Sequence, residues 1–149
     1  MSRDRRILIA TDFSRASEGG AREGARLARA LGCGVVIVHA VEDRVHPLVD
    51  EKTRRQVMAT HRGLAEEAAA RWCSEVFAGC EVATCIGEGA PADVIQDCAE
   101  RWQADLVVIG SRGHGAIEGL LLGSTADRVV RHATRPVLVV PAGEGAEGG

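Results

Sequence analysis

Hydrophobic residues along this chain gather in five short, nearly unbroken runs, at positions 7–10, 35–41, 81–86, 106–109 and 137–140. None alternates cleanly between apolar and polar positions. A strand exposed on one face shows that alternation, whereas a strand covered on both faces does not. The runs therefore predict strands of a parallel sheet with helices on either side.

Between the runs the apolar residues shift to helical spacing. Residues 14–31 predict a first helix rich in small residues (Gly20, Ala21, Gly24, Ala25, Ala28). Small side chains allow close packing on a sheet at a cost in intrinsic helix propensity. A second helix carries Val57, His61, Leu64, Ala68 and Trp72 on one face. A third carries Val94, Ile95, Cys98, Ala99 and Trp102, and a fourth Leu122, Ala126, Val129, Val130 and Ala133. Strand and helix alternate throughout, which predicts a single doubly wound α/β domain with right-handed crossovers over residues 1–142. The Gly/Glu tail, 143–149, has nothing to bury and is expected to be flexible.

Composition narrows the choice of partners. The chain has 149 residues and a net charge of -3, which argues against a nucleic-acid-binding surface. No stretch approaches the roughly 20 apolar residues of a membrane span. The basic start, Arg3 to Arg6, leads into an apolar run too short for a secretion signal, so a reduced, cytoplasmic setting is expected. The five cysteines include no CxxC pair that would suggest zinc or a redox dithiol. Three of them sit in apolar surroundings and read as small core residues.

The candidate chemistry lies near the C-terminus. Gly110 and Gly113 follow the fourth apolar run, and Gly123-Ser124-Thr125 opens the fourth helix. Both are places where bare backbone N–H groups can face an anion, so the pair points to a phosphate-bearing ligand. Each piece also has a plainer explanation. Gly110-Ser111-Arg112-Gly113 also suits an ordinary turn, and Ser124-x-x-Asp127 matches a capping box. Arg112 and His114 can neutralise phosphate or simply sit in solvent. Asp12, after the first strand, can meet ribose hydroxyls or a phosphate-bound cation, or complement the dipole of the first helix. In a doubly wound sheet, ligands bind beyond the C-terminal strand ends where strand order reverses. Asp12 and Gly110 flank one crevice only if the first and fourth strands are neighbours. Gly87-Glu88-Gly89-Ala90-Pro91-Ala92 fits GxGxxA but follows the third strand, and glycine for a turn with Pro91 in the first helical turn explains it better. His39 and His61 read as structural. The lysine-based triphosphate cradle and the GxSxG elbow are both absent.

At this point the chain resembles the universal stress proteins. The resemblance rests on Ile7-Leu8-Ile9-Ala10-Thr11-Asp12-Phe13-Ser14, on residues 35–41, on the glycine motif from Gly110 to Thr125, and on Arg135-Pro136-Val137-Leu138-Val139-Val140. It implies a five-stranded parallel sheet ordered 3-2-1-4-5 and ATP bound with Mg²⁺ or Mn²⁺. It further implies that Asp12 meets the ribose or metal region and that Ala40 offers backbone to adenine. Gly110 and Gly113 would line ribose and phosphates, with Arg112 between them. Gly123, Ser124 and Thr125 would hold the phosphates. Two positions depart from the family pattern: Ala10 stands where some ATP-binding members have proline, and Ala40 is smaller than the valine common there. The implied activity is stress-response regulation. Slow ATP hydrolysis or autophosphorylation is the alternative, and an interaction module that binds no nucleotide is a second. The last strand, placed by the resemblance at a sheet edge, is expected to pair two copies into a homodimer.

Overall fold

The computed structural model describes residues 4–112 and 122–142. Its elements run β1 (Arg6–Ala10), α1 (Arg15–Leu31), β2 (Gly34–Val41), α2 (Glu51–Glu75), β3 (Val82–Glu88), α3 (Pro91–Arg101), β4 (Leu106–Gly110), α4 (Ser124–Arg131) and β5 (Val137–Val140). The strands form one sheet in the order β3-β2-β1-β4-β5. All four pairings are parallel. Ala10 lies opposite Val38 on one side and Ile109 on the other. The β1–β4 adjacency on which the crevice depends is therefore present.

Alternate residues of each strand feed two core layers. Leu8, Val36, Val38 and Val107 pack with Val94, Ile95 and Ala99 of α3 and with Ala126 and Val129 of α4. Ile7, Ile9, Ile37 and Val108 pack with Ala21, Ala25 and Ala28 of α1 and with Trp72 of α2. Each fully buried isoleucine or valine contributes roughly 1.5–3 kcal/mol over its exposed state. The three central strands are almost wholly buried, whereas β3 and β5 are largely half-buried edges.

Helix α1 starts where Ser14 accepts a hydrogen bond from the Ser17 backbone N–H. It then lies unusually close to the sheet. A Cβ on Gly20 would sit 3.0 Å from the backbone nitrogen of Gly110, and one on Gly24 would sit 2.5 Å from Ile9 Cδ1. The small-residue stripe thus sets the separation of helix and sheet, and through Gly20 it sets the position of the end of β4.

Two sequence expectations need correction. In α2 the buried line is Met58, Ala65, Ala68, Ala69 and Trp72, while His61 and Leu64 are exposed. A helix of 25 residues is about 37 Å long, whereas the eight-residue strand β2 spans about 26 Å. The sheet therefore covers only part of the helix, and its alanines allow the closest approach. His61 is thus not a core histidine. Second, Cys85 on β3 and Cys98 on α3 are joined by a disulfide. The packing of α3 on β3 brings them together, which a search for closely spaced cysteines cannot show. Among the described residues no helix is long and apolar enough to cross a membrane.

Candidate functional site

The C-terminal ends of β1 and β4 emerge side by side and the chain departs from them in different directions. The result is a crevice of about 450 Å³. A second cavity of about 430 Å³ lies at the opposite end of the strands, near Arg6, Gly34 and Val82. Only the first has the glycine motif on its wall.

The β1–α1 turn forms one side of the crevice. Thr11 is buried; its N–H donates to Val38 O (3.0 Å), and its hydroxyl lies 2.9 Å from that of Ser17. The Phe13 N–H donates to Thr11 Oγ1 and the Ser14 N–H to Asp12 Oδ1, each at 2.9 Å. Phe13 adopts φ 61°, a left-handed conformation costly for a non-glycine residue. Its ring packs 4.9 Å from that of His39 and edge-on to Trp72 at 5.2 Å, which holds the turn in place. Asp12 is left exposed on the crevice wall. It also serves the helix start, by accepting from the Ser14 N–H.

The strand β2 supplies the floor, with Val38, His39 and Ala40. His39 Nδ1 is 2.9 Å from the Thr11 carbonyl, which only accepts, so that nitrogen carries the proton. His39 is therefore a satisfied histidine that also lines the crevice. Glu42 and Arg44 form an ion pair at the mouth. Just outside, Arg54 pairs with Asp43 and holds its carboxyl below the usual range.

The far wall is the motif. Gly110 ends β4, and an added Cβ there would lie 3.3 Å from the Arg112 carbonyl oxygen, so a side chain would crowd the turn. Ser111 is buried; its N–H donates to Val140 O (2.8 Å), and its hydroxyl accepts from the Ala142 N–H (3.2 Å). Arg112 is half-buried and lines the crevice. Gly113 and His114 lie outside the described residues.

On the other side of the motif, the Gly123 N–H donates to Ser111 O. Gly123 is the N-cap of α4 and Ser124 the first helical residue, without a side-chain cap hydrogen bond. The capping-box reading of Ser124 is thus incorrect. The helix starts one residue earlier in register than that box requires, and Asp127 pairs instead with Arg131 (2.9 Å). Ser124 is exposed, and Ser124 and Thr125 both line the crevice.

Asp12, Ala40, Gly110, Arg112, Gly123, Ser124 and Thr125 therefore share one wall system, though the first and last are 113 residues apart in sequence. Sequence reasoning missed Ser17, Glu42, Arg44, Pro91 and Ile95, which also line it. Only Pro91 carried a signal, because it follows the Gly87–Gly89 turn. That turn itself is structural: a Cβ on Gly87 would meet Val94 Cγ1 at 2.8 Å, and Gly89 has φ 129°.

The combination defines a class: a doubly wound α/β domain with a glycine-lined crevice at its topological switch point. The sequence profile of the Universal stress protein family matches residues 4–141, and the chain belongs to that family. It is 32% identical over 150 residues to universal stress protein MJ0531 of Methanocaldococcus jannaschii, covering 91% of this chain and 81% of that one. It is 33% identical over 138 residues to a universal stress protein of Thermus aquaticus, covering 90% and 96%. The structure of hypothetical protein MJ0577 superposes with a TM-score of 0.83 at 25% identity, covering 94% and 97%. A universal stress protein in complex with cAMP gives 0.60 at 25% identity (95% and 100%). The protein from Archaeoglobus fulgidus in complex with dAMP gives 0.62 at 25% (91% and 97%).

Proposed function

We propose that this protein is an adenine-nucleotide-binding stress regulator of the cytoplasm, with ATP as its ligand. The observation that carries the reading is the joining of the two glycine sites by the Gly123–Ser111 hydrogen bond, on the crevice that also holds Asp12. Gly123, Ser124 and Thr125 line the crevice, so the first N–H groups of α4 and the Ser124 hydroxyl would meet the phosphates. Each charge-assisted hydrogen bond there contributes about 1.5–3 kcal/mol. Adenine would lie against Ala40, with Val38 and Ile95 as apolar neighbours and ribose near Asp12 and Gly110. The cAMP and dAMP complexes of two related structures support an adenine nucleotide as the class of ligand.

The residues present suit a cation that arrives with the nucleotide. Among the described residues no cluster of three or more His, Cys, Asp or Glu side chains could hold a metal. Asp12 faces the crevice as an exposed carboxylate beside the turn, while Glu42 at the mouth is paired with Arg44. Mg²⁺ commonly binds through one or two carboxylates together with substrate phosphates. Mg²⁺ or Mn²⁺ would neutralise phosphate charge, with Asp12 as its protein partner.

Binding rather than rapid turnover is the proposed activity. No lysine lines the crevice, and His39 commits one ring nitrogen to a backbone carbonyl. Native mass spectrometry of the purified chain, followed by calorimetric titration with ATP, tests the proposal. A retained or titratable adenine nucleotide is expected. No heat and no bound mass with ATP, AMP or cAMP would remove it. Homodimerisation through β5 belongs to the same proposal, supported by the edge position of that half-buried apolar strand.

A further inference from the structure

Cys85 and Cys98 lie in the core layer between the sheet and α3, with relative exposures of 8% and 0%. They are bonded to each other. A charged group reaches them: an Arg101 guanidinium nitrogen lies 3.3 Å from Cys85 Sγ and 3.6 Å from Cys98 Sγ. The same side chain is largely exposed and pairs with Asp97 through Nε at 3.1 Å. Arg101 therefore covers the sulfurs from the solvent side and places a positive charge beside both. The other three cysteines, Cys33, Cys73 and Cys80, are half-buried and unbridged. Burial pushes the Cys73 thiol up, away from the reactive thiolate form.

We propose that Cys85 and Cys98 are a reversible dithiol–disulfide couple, oxidised by a peroxide and gated by Arg101. A cation beside a thiol favours the thiolate, which is the nucleophile. Cys85, the less buried of the two, attacks a peroxide oxygen. The O–O bond breaks, leaving Cys85 sulfenic acid and hydroxide, which takes up the proton released on forming the thiolate. The Cys98 thiolate then attacks the sulfenic sulfur. The S–S bond forms, the S–O bond breaks, and the departing hydroxide leaves as water with the Cys98 proton. Two thiols lose two electrons in all, and hydrogen peroxide becomes two waters. A dithiol reductant reverses the change by thiol–disulfide exchange. In the reduced form β3 and α3 are held by packing alone. In the oxidised form they are tied through a covalent bond across 13 residues.

The experiment starts from the intact chain reduced with dithiothreitol and freed of it. Dilute hydrogen peroxide is added, remaining thiols are capped with N-ethylmaleimide in denaturant, and the peptides are mapped by mass. A Cys85–Cys98 peptide lighter by two hydrogens, with Cys33, Cys73 and Cys80 capped, is expected, and dithiothreitol should restore both thiols in the folded protein. Five capped cysteines, a different pairing, or a bond that the folded protein does not release to dithiothreitol would overturn the couple. Arg101→Gln should slow bridging about threefold to tenfold, with Arg101→Lys largely restoring the rate. Equal rates in all three proteins would remove Arg101 from the proposal. In Cys98→Ser, dimedone should trap sulfenic acid on Cys85, and a trapped adduct on another cysteine alone would contradict the assigned order of attack.

Discussion

The backbone N–H of Gly123 donates to the carbonyl of Ser111, which fastens the N-cap of α4 to the residue that follows β4. Ser111 in turn receives from Ala142 and donates to Val140. The crevice wall is thereby tied to the edge strand. Gly123 has φ −68° and ψ 162°, extended backbone that valine adopts readily. Gly123→Val should therefore leave the fold intact yet place a branched side chain at the proposed phosphate position. We expect ATP affinity to fall at least tenfold, about 1.4 kcal/mol, with an unchanged circular dichroism spectrum. Asp12→Asn should weaken the Mg²⁺-dependent part of binding and leave Mg²⁺-free binding nearly as before. Calorimetry with and without Mg²⁺ separates the two. Wild-type isotherms for both variants would exclude this wall as the binding surface.

Gly20 and Gly110 set the distance between α1 and β4. A Cβ at Gly20 would approach the Gly110 nitrogen to 3.0 Å, and that atom belongs to backbone that cannot rotate away. Gly20→Val should cost about 1–3 kcal/mol by overpacking. The gain in helix propensity over glycine, a few tenths of a kcal/mol, offsets little of it. Urea unfolding should show a lower midpoint with a similar slope. A midpoint equal to that of the wild type would mean that the helix can ride outward freely.

The dimer proposal concerns β5, where Val137, Leu138, Val139 and Val140 are all half-buried at a sheet edge. Pro136 and Pro141 limit any ladder to a few residues, so side chains must supply most of the affinity. Val139→Asp should give monomers or precipitate. Sedimentation velocity at micromolar concentration checks it, and a wild type already monomeric there would end the proposal.

Glu100 near the end of α3 accepts from Thr134 Oγ1 at 2.6 Å and from Arg135 at 3.4 Å. These bonds hold its carboxyl below the ordinary value of 4.5. A carboxyl lowered on folding stabilises the native state above its unfolded pKa, and that contribution fades as pH falls through the lower native value. Glu100→Gln should thus lower the thermal midpoint near neutral pH, with the gap to the wild type closing below pH 4.5. A gap that stays constant into acid would show that the charge plays no part.

Much of the fold was legible in the sequence, because parallel strands buried on both faces must be continuously apolar. The runs beginning at Ile7, Val35, Leu106 and Val137 could be read in that way, and the small residues of α1 announced a close approach. The glycine spacing from Gly110 to Gly123 marked the candidate wall, since backbone N–H groups need space to face an anion. What the sequence could not fix was anything set by contacts between distant elements. The β1–β4 adjacency that brings Asp12 opposite Gly110 came by resemblance and is decided by sheet order. The exposure of His61 follows from the length of α2 against a shorter sheet, and its side-chain periodicity alone pointed the other way. Ser124 lost its capping role because the N-cap fell on Gly123, a shift of one residue that local motifs do not resolve. The Cys85–Cys98 bond arises because α3 returns across β3. Local chemistry and periodicity are written along the chain, but which groups meet is settled only when the helices and strands pack.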